Sequence, residues 1–373
     1  LGLSGLAGCA ELGGRAAAPP LNLAPIRAST DRMFDITVCL RPFRAAGPRL
    51  EAERIGDQLV IHNYGHGGSG WSLSWGSGTI AVGMAMADSP AEIAVIGCGA
   101  LGLTSAILAQ QAGARVTIYA AALLPQTRSA RATGSYTPDS RIALANSVAP
   151  DFPALWERMA RTSFKTYRSY LGLPGTPVQW KDFYVLSDTP IDRAKKPPAP
   201  GALEFAEYRH LIDDLRPALT PMPPGSTPFS VPYVSRSAAL QFNIASYGHT
   251  LLGDFRQAGG RIERRVFNHP SDLAALPEKV VIDCTGYGAR ALWDDRSIVP
   301  VRGQIAWLIP QAEVEYGVFY RDVNVVSRSD GIVVQDLSGG DMKGYGQADE
   351  VADRGAAEAA VRVVGGLFAE RWI

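Results

Sequence analysis

Cysteine is scarce: Cys9, Cys39, Cys98 and Cys284 are the four in 373 residues, far apart, with no CxxC pair and no Cys/His cluster. That pattern suggests neither a zinc site nor a disulfide framework. The five histidines form no HExxH, which removes the helix-borne zinc-hydrolase motif. A charge excess of either sign is missing too, since 36 Lys and Arg balance 36 Asp and Glu. A nucleic-acid binder needs a basic surplus for its phosphate contacts, so the balance argues against that class. The longest apolar run beyond the N-terminus, Thr79 to Ala87, falls far short of the roughly 20 residues of a membrane-spanning helix. There is no Ser/His/Asp elbow and no obvious pair of catalytic carboxylates.

What is present describes a packed globular chain. With 46% hydrophobic and 19% charged residues it has enough apolar surface for a core. At about 150 residues per domain the length suggests two domains, and Gly 39 with Pro 26 predicts many turns. The opening LGLSGLAGCAE reads as the end of an apolar stretch followed by small residues, the tail of an export signal. Its tetrad Leu6, Ala7, Gly8, Cys9 resembles a bacterial lipoprotein lipobox, in which the cysteine becomes lipid-bearing; an uncleaved tail is the alternative. AAAPPLNLAP then reads as a linker, so residues 1–25 stand apart as signal remnant and linker. On the signal reading the protein is exported, periplasmic or held at a membrane through Cys9; otherwise it is cytoplasmic.

The clearest local signal is AEIAVIGCGALGLTSAILAQQAGARVTIYA, residues 91–120. Ile93 to Ile96 predicts a short strand, Gly97-Cys98-Gly99-Ala100-Leu101-Gly102 is a GxGxxG turn, and Leu103 to Gln111 has helical apolar spacing that Gly113 stops. Arg115 to Tyr119 predicts a second, parallel strand, completing a βαβ unit of the length a dinucleotide fold uses. Gly97 permits the tight turn, Gly99 lets the main chain approach a pyrophosphate, and Gly102 lets helix and strand pack closely, while the helix N-terminus faces the phosphates. The acidic residue expected about 20 positions on, for a ribose hydroxyl, falls among Ala120, Ala121 and Ala122. This unit alone therefore names no particular cofactor.

Arg261 to Phe267 and Lys279 to Asp283 predict further strands, the second running into the glycine-rich CTGYGAR at the ligand side of an open α/β sheet. Residues 151–235 are aromatic-rich and proline-rich, without βαβ periodicity, and predict an inserted second domain. Alternation returns from Gly303 to Gln335, predicting antiparallel strands, and Asp349 to Phe368 reads as an amphipathic helix. Ahead of the βαβ unit, VCLRPFRAAGPRLEAE sets Arg41, Arg44 and Arg49 along an extended stretch. VIHNYGHGGSGWSLSWGSG (60–78) runs from a glycine-rich loop into helix-like sequence. Glycines opening a helix present N–H donors and the positive end of a dipole to an electron-rich group; a solvated surface loop is the plainer alternative.

Together, GCGALG (97–102), IYA (118–120), TRSARATG (127–134), DCTGYGAR (283–290), PVRGQI (300–305), RSDGIVV (328–334), LRPFR (40–44) and HNYGHGGSG (62–70) resemble the D-amino-acid oxidase family of flavoproteins, which includes D-aspartate oxidase. The likeness spans most of the chain outside the insert. Its order differs: in that family the LRPxR strand and HNYGHGG loop come last, whereas here they come first. The helix after Trp75 runs through ADSPAE into the first nucleotide-binding strand. The chain thus resembles a circular permutation, with new ends between the helix at 349–368 and the strand at 34–43. Such a change is tolerable because termini lie at surfaces and are often close together.

The resemblance implies an α/β fold in which an FAD-binding Rossmann-like domain (63–150, 236–300 and 329–373) is interleaved with an α+β substrate domain built on an antiparallel sheet (26–62, 151–235 and 301–328). It implies FAD, with Gly97, Gly99, Ala100, Leu101 and Gly102 at the pyrophosphate. Thr127, Ser129, Ala130 and Gly134 sit where the family wraps the flavin ring and phosphates, and Thr285 and Gly286 lie in the later turn. Gly67, Gly68, Ser69 and Gly70, leading into Leu73 and Ser74, match the loop at the flavin's pyrimidine end, where donors stabilise negative charge on the reduced ring. Arg41 matches the arginine that grips the substrate carboxylate, a task suited to a bidentate guanidinium; a structural salt bridge is the alternative. Tyr320 lies near the tyrosine that the family places over the substrate, and it also reads as a core aromatic on a strand. A second family tyrosine aligns near Asn324, a departure that bears on side-chain specificity. His62 and His66 read as loop-structuring.

The implied activity is oxidation of an amino acid or amine, most directly a D-amino acid, by hydride transfer to flavin. The imino acid hydrolyses to a 2-oxo acid and ammonia, and O2 becomes H2O2. Positioning supplies much of the rate and no side-chain acid or base is obligatory. Two alternatives stay open: a dehydrogenase passing electrons to a quinone or other carrier, and a binding protein that kept the fold without the chemistry.

Overall fold

The computed structural model describes residues 21–191 and 201–368; Cys9 and the export-signal reading lie outside the described residues. The first half holds β1 (Met33–Arg44), β2 (Arg49–Ile55), β3 (Gln58–Tyr64), α1 (Gly70–Ala85), β4 (Glu92–Ile96), α2 (Ala100–Gln111), β5 (Arg115–Ala120), α3 (Phe152–Tyr167) and β6 (Val178–Ser187). It continues through β7 (Thr220–Pro221), β8 (Tyr233–Phe242), α4 (Ile244–Gln257), β9 (Arg261–Arg264), β10 (Val280–Asp283), α5 (Ala289–Leu292) and β11 (Ile298–Leu308). The last elements are β12 (Tyr316–Tyr320), β13 (Val323–Arg328), β14 (Gly331–Asp336) and α6 (Arg354–Gly365).

These strands make two sheets, one of six in the order β2-β3-β10-β4-β5-β9 and one of eight in the order β1-β11-β14-β13-β12-β6-β8-β7. In the first, β3, β10, β4, β5 and β9 run parallel and β2 is antiparallel to β3. All four residues of β10 and the last four of β4 are buried, as expected for parallel strands covered on both faces. Trp75 and Ala81 of α1, Leu103 and Ile107 of α2, and Leu251 and Phe255 of α4 pack with Ile93, Val95 and Ile118 in one core. The predicted β4-α2-β5 unit is therefore present, with Gly113 at φ +99 just past the helix end. The second sheet is antiparallel apart from the parallel β12/β6 pair.

Two helices show why local pattern and tertiary packing differ. α1 is buried on nearly every side, including Ser72, Ser74 and Ser77, so it carries no single apolar stripe. At Gly76 an added Cβ would lie 2.1 Å from the carbonyl oxygen of Met159, so the close crossing of α1 and α3 needs glycine there. By contrast α6 is amphipathic, with the Asp353 side chain accepting the Ala356 N–H at 2.9 Å as its cap. It buries Ala357, Ala360, Val361 and Val364 with Val318, Ile332 and Val334 of the eight-stranded sheet.

Sheet membership redraws the expected division. β2 inside 26–62, and β3 which begins there, pair in the six-stranded sheet because the fully buried VIHNY end of β3 extends it beside β10. β14 and α6, inside 329–373, sit with the eight-stranded sheet, where the short β13–β14 turn keeps β14 beside its neighbour. β8, most of which falls in 236–300, pairs along its whole length with β6 in that sheet as well. Among the described residues no helix is long and apolar enough to cross a membrane.

Candidate active site

The C-terminal ends of β4, β5 and β10 and the N-terminal ends of α1 and α2 open onto a cavity of about 1600 Å³. Its lining also includes residues of β1, β6, β8, β12 and β13 from the eight-stranded sheet. Small-molecule pockets span roughly 300–1,000 Å³, so there is room for a dinucleotide and a second molecule.

At the nucleotide end, Gly97 has φ +108, and an added Cβ there would lie 2.5 Å from the Cys284 carbonyl oxygen. An added Cβ on Gly99 would lie 2.7 Å from Ser129 Oγ, which accepts the Ala100 N–H at 3.0 Å. Ala100 and Leu101 line the cavity, whereas Gly102 sits behind it, where an added Cβ would lie 2.0 Å from the Gly97 carbonyl oxygen. Thr127 is in the lining with its Oγ1 buried and unpartnered among the described residues. Bare backbone at a helix N-terminus beside an orphan hydroxyl fits a dinucleotide pyrophosphate. Ser129 and Gly134 line the same space, but Ala130, between the lining residues Ser129 and Arg131, does not.

The turn after β10 is held from beneath. Thr285 donates its N–H and its hydroxyl to Asp283 Oδ1 at 3.0 and 2.7 Å, and both Thr285 and Gly286 line the cavity. The fully buried Asp283 also accepts from Trp293 Nε1 at 2.6 Å and faces His62 Nδ1 at 3.3 Å. His62 Nε2 meets Glu53 Oε2 at 3.0 Å, so His62 ties the edge strands to the cofactor turn. His66 is equally structural in its bonding: Ser77 Oγ donates to Asn63 Oδ1 at 2.5 Å and is left to accept from His66 Nε2 at 2.8 Å. Burial pushes His66 down to about 3, so it stays neutral at physiological pH.

The glycine loop before α1 presses on residues 140–141. Added Cβ atoms on Gly67 and Gly68 would lie 1.9 Å from the Arg141 carbonyl oxygen and 2.5 Å from Ser140 Oγ. Gly67, Gly68 and Gly70 line the cavity together with Trp71 and Ser72. Ser69, Leu73 and Ser74 do not, which corrects the sequence reading. Ser69 Oγ turns to the carbonyls of Thr137 (3.2 Å) and Ser140 (3.1 Å), and Ser74 Oγ donates to the Trp71 carbonyl at 3.2 Å. Leu73 is fully buried with Ile142 and Trp156. The helical rotation from Trp71 to Leu73 and Ser74 carries those side chains round toward α3.

Arg41, on β1, also lines the cavity and has no hydrogen-bond or ion-pair partner among the described residues. Its guanidinium lies over Gly303 of the neighbouring strand, where an added Cβ would stand 2.2 Å from Nη1 and 2.4 Å from Nη2. The salt-bridge alternative for Arg41 is not what the geometry shows. Tyr320 is corrected: it lies on the sheet face away from the cavity, packs with Tyr184 and Tyr316, and donates its hydroxyl to Asp188 Oδ1 at 2.9 Å. Strand alternation instead sends Phe319 into the lining, directly across from Asn324, which lines the cavity too.

The sequence reading missed Trp71, Phe319, Arg141 and the bidentate Arg209–Asp139 pair (both bonds 3.1 Å), all of which line the cavity. No spacing marks them, because they meet only when residues 135–141 fold against the glycine loop and the 205–219 segment.

The model of the FAD dependent oxidoreductase (DAO) family matches residues 92–370. The chain belongs to this family. FAD is the cofactor that membership brings, and the glycine cradle is the part of the cavity that fits it. Among relatives of this FAD-dependent oxidoreductase, D-amino-acid oxidases from Dictyostelium discoideum and Streptomyces coelicolor are each 29% identical, over 221 and 220 residues. Those stretches are 57% of this chain and 56% and 58% of the relatives, so the chain spans little more than half the length of the curated relatives it matches. A D-aspartate oxidase from Talaromyces thermophilus is 54% identical over 52 residues, 12% of this chain and 14% of that one. Among solved structures, glycine oxidase from Geobacillus kaustophilus aligns at a TM-score of 0.49 and 14% identity over 74% of this chain and 77% of that one, a likeness too loose to bear on function.

Proposed function

We propose that the protein oxidises the α-amino group of an amino acid, most directly a D-amino acid. The products are a 2-oxo acid and ammonia, after water adds to the imino acid, and one O2 becomes one H2O2. The observation that carries the reading is Arg41, a guanidinium without a protein partner among the described residues, lining the same cavity as a glycine cradle. FAD, when bound, supplies the two-electron acceptor. Arg41 would hold the α-carboxylate in two parallel hydrogen bonds, which fixes where the α-carbon stands. Phe319 and Asn324 face the same space and would meet the substrate side chain. The D configuration and the use of oxygen are supported by the relatives named D-amino-acid oxidase and D-aspartate oxidase.

The test is the absorbance spectrum of the purified protein, followed by anaerobic addition of D- and then L-amino acids. Flavin bands that bleach with the D series are expected; bands that persist with both series would overturn the amino-acid reading. Bleaching without oxygen consumption in air would favour a quinone or carrier as acceptor, the reading to which a lipid anchor at Cys9 would belong.

We also infer that the order of elements is permuted relative to the family. In support, the family match starts at Glu92, the first residue of β4, yet the preceding β1 to α1 supply strands of both sheets and the Arg41 and Gly67 lining. A chain in which residues 21–91 are moved behind residue 368 through a flexible linker should fold and retain flavin. A rearranged chain that folds but binds no flavin would count against the permutation.

A further inference from the structure

Arg141 belongs to no sequence motif, yet it is among the most constrained cations of the cavity. Its backbone is at φ +48, a conformation uncommon for a non-glycine residue, and its peptide oxygen occupies the space a Gly67 side chain would need. Its side chain is 7% exposed. Nε donates to the Asp341 carbonyl at 2.8 Å and Nη2 to the Gly340 carbonyl at 2.9 Å, while Nη1 has no partner among the described residues. Neutral carbonyls orient the guanidinium without cancelling its charge. The nearest carboxylate oxygen, Asp341 Oδ1, is 3.6 Å from Nε on a side chain that is 50% exposed.

Arg41 lies in the same cavity with no ion-pair partner among the described residues, and the one carboxylate paired with Arg141 is the half-exposed Asp341. Burial first, and then the charge of Arg41, push Arg141 down to about 10, which still leaves it protonated at neutral pH. The two guanidinium groups repel each other, and a bound anion between them would relieve that repulsion. The Tyr320 hydroxyl is turned away to Asp188, so it is not available as a donor in this cavity.

We propose that Arg141 is a second carboxylate-binding residue of this site, acting beside Arg41 on the anionic part of the substrate. The proposal rests on the amino-acid reading above. The carboxylate it meets has two sources, the α-carboxylate shared with Arg41 or a second carboxylate on the substrate's side chain.

Calorimetric titration of the FAD-loaded protein with propanoate and with succinate separates these, and it needs no turnover. An inert enzyme that binds acids through Arg141 is thus distinguished from an active one that does not. In Arg141→Met, carboxylate affinity should fall about ten- to a hundredfold, the range for a lost hydrogen bond to a charged group, with FAD affinity unchanged. Equal loss for both acids assigns Arg141 to the α-carboxylate; loss for succinate alone assigns it to a second acidic group. Arg141→Lys keeps a charge and should retain part of the affinity, and it serves if the methionine variant does not fold. Unchanged acid binding in the variants, or acid and FAD affinities falling by the same factor, would overturn the proposal.

Discussion

Replacing Arg41 with alanine should lower kcat/KM for the amino-acid substrate about a thousandfold, corresponding to ~4 kcal/mol, while FAD content stays the same. The size follows from the site: removing one partner of a buried, hydrogen-bonded charge pair costs 2 to 5 kcal/mol or about that, and each ~1.4 kcal/mol is tenfold. FAD is spared because Arg41 lies among the eight-stranded-sheet residues of the cavity, while the glycine cradle is formed at β4 and α2. A second variant reaches the same end without touching the arginine. In Gly303→Ala the new methyl group would lie 2.2 Å from Arg41 Nη1 and 2.5 Å from Cζ, so the guanidinium must leave its seat. That variant should reproduce most of the Arg41→Ala defect in KM with little change in thermal stability, since the displaced group is the far end of a flexible side chain. Steady-state kinetics with D-amino acids measure both. Arg41→Ala turning over at the wild-type kcat/KM would remove the carboxylate clamp from the mechanism.

The parts of this site that could be read from sequence are those where a local rule and the global fold agree. The turn from β4 into α2 is one, because a buried strand, a glycine pattern and a helical period follow each other within 20 or so residues, as the dinucleotide unit requires. Arg41 is another, since LRPFR lies on a strand whose partner residue Gly303 falls in PVRGQI, and both segments were legible. The assignment of Tyr320 shows the opposite case. β12 and β13 are joined by Arg321 and Asp322, with φ of +45 and +58. A two-residue hairpin turn of that handedness is usually marked by Asn-Gly or Asp-Gly. Without that mark the register of VFYRDVN is undetermined, and a shift by one residue exchanges the two faces of the strand. The structure fixes Phe319 opposite Asn324 and thereby turns Tyr320 to the α6 side. Ser69, Leu73 and Ser74 were misplaced for a related reason: Ser69 and the first part of α1, Trp71 to Gly78, are buried all round, so the sequence does not say which side faces the cavity. Arg141 had no local signal, because its role arises from contact with loops about 70 and 200 positions away.

Gly102→Ala should damage cofactor binding through a single added methyl group. The added Cβ would lie 2.0 Å from the Gly97 carbonyl oxygen and 2.7 Å from its carbon, and a backbone obstacle cannot rotate aside as a side chain can. α2 would have to move outward, which shifts the N-terminal turn carrying Ala100 and Leu101 and opens the cradle at Gly97 and Gly99. Overpacking of a close contact costs about 3 kcal/mol at the upper end of the usual range, and the displaced helix end would also lose its alignment toward a pyrophosphate. The expected result is a fall in thermal midpoint of about 5 °C, together with a loss of FAD affinity of about tenfold or more. Gly83→Ala supplies the matched control. It sits in α1 with no heavy atom within 4 Å of an added Cβ and no positive φ, so the same methyl group there should leave FAD affinity unchanged and raise stability slightly, by about 0.5 kcal/mol. Fluorescence titration of the apoprotein with FAD and thermal unfolding of the two variants measure the contrast. Equal behaviour of the two alanines would mean that the close contact between α2 and the Gly97 turn does not position the cofactor end of the cavity.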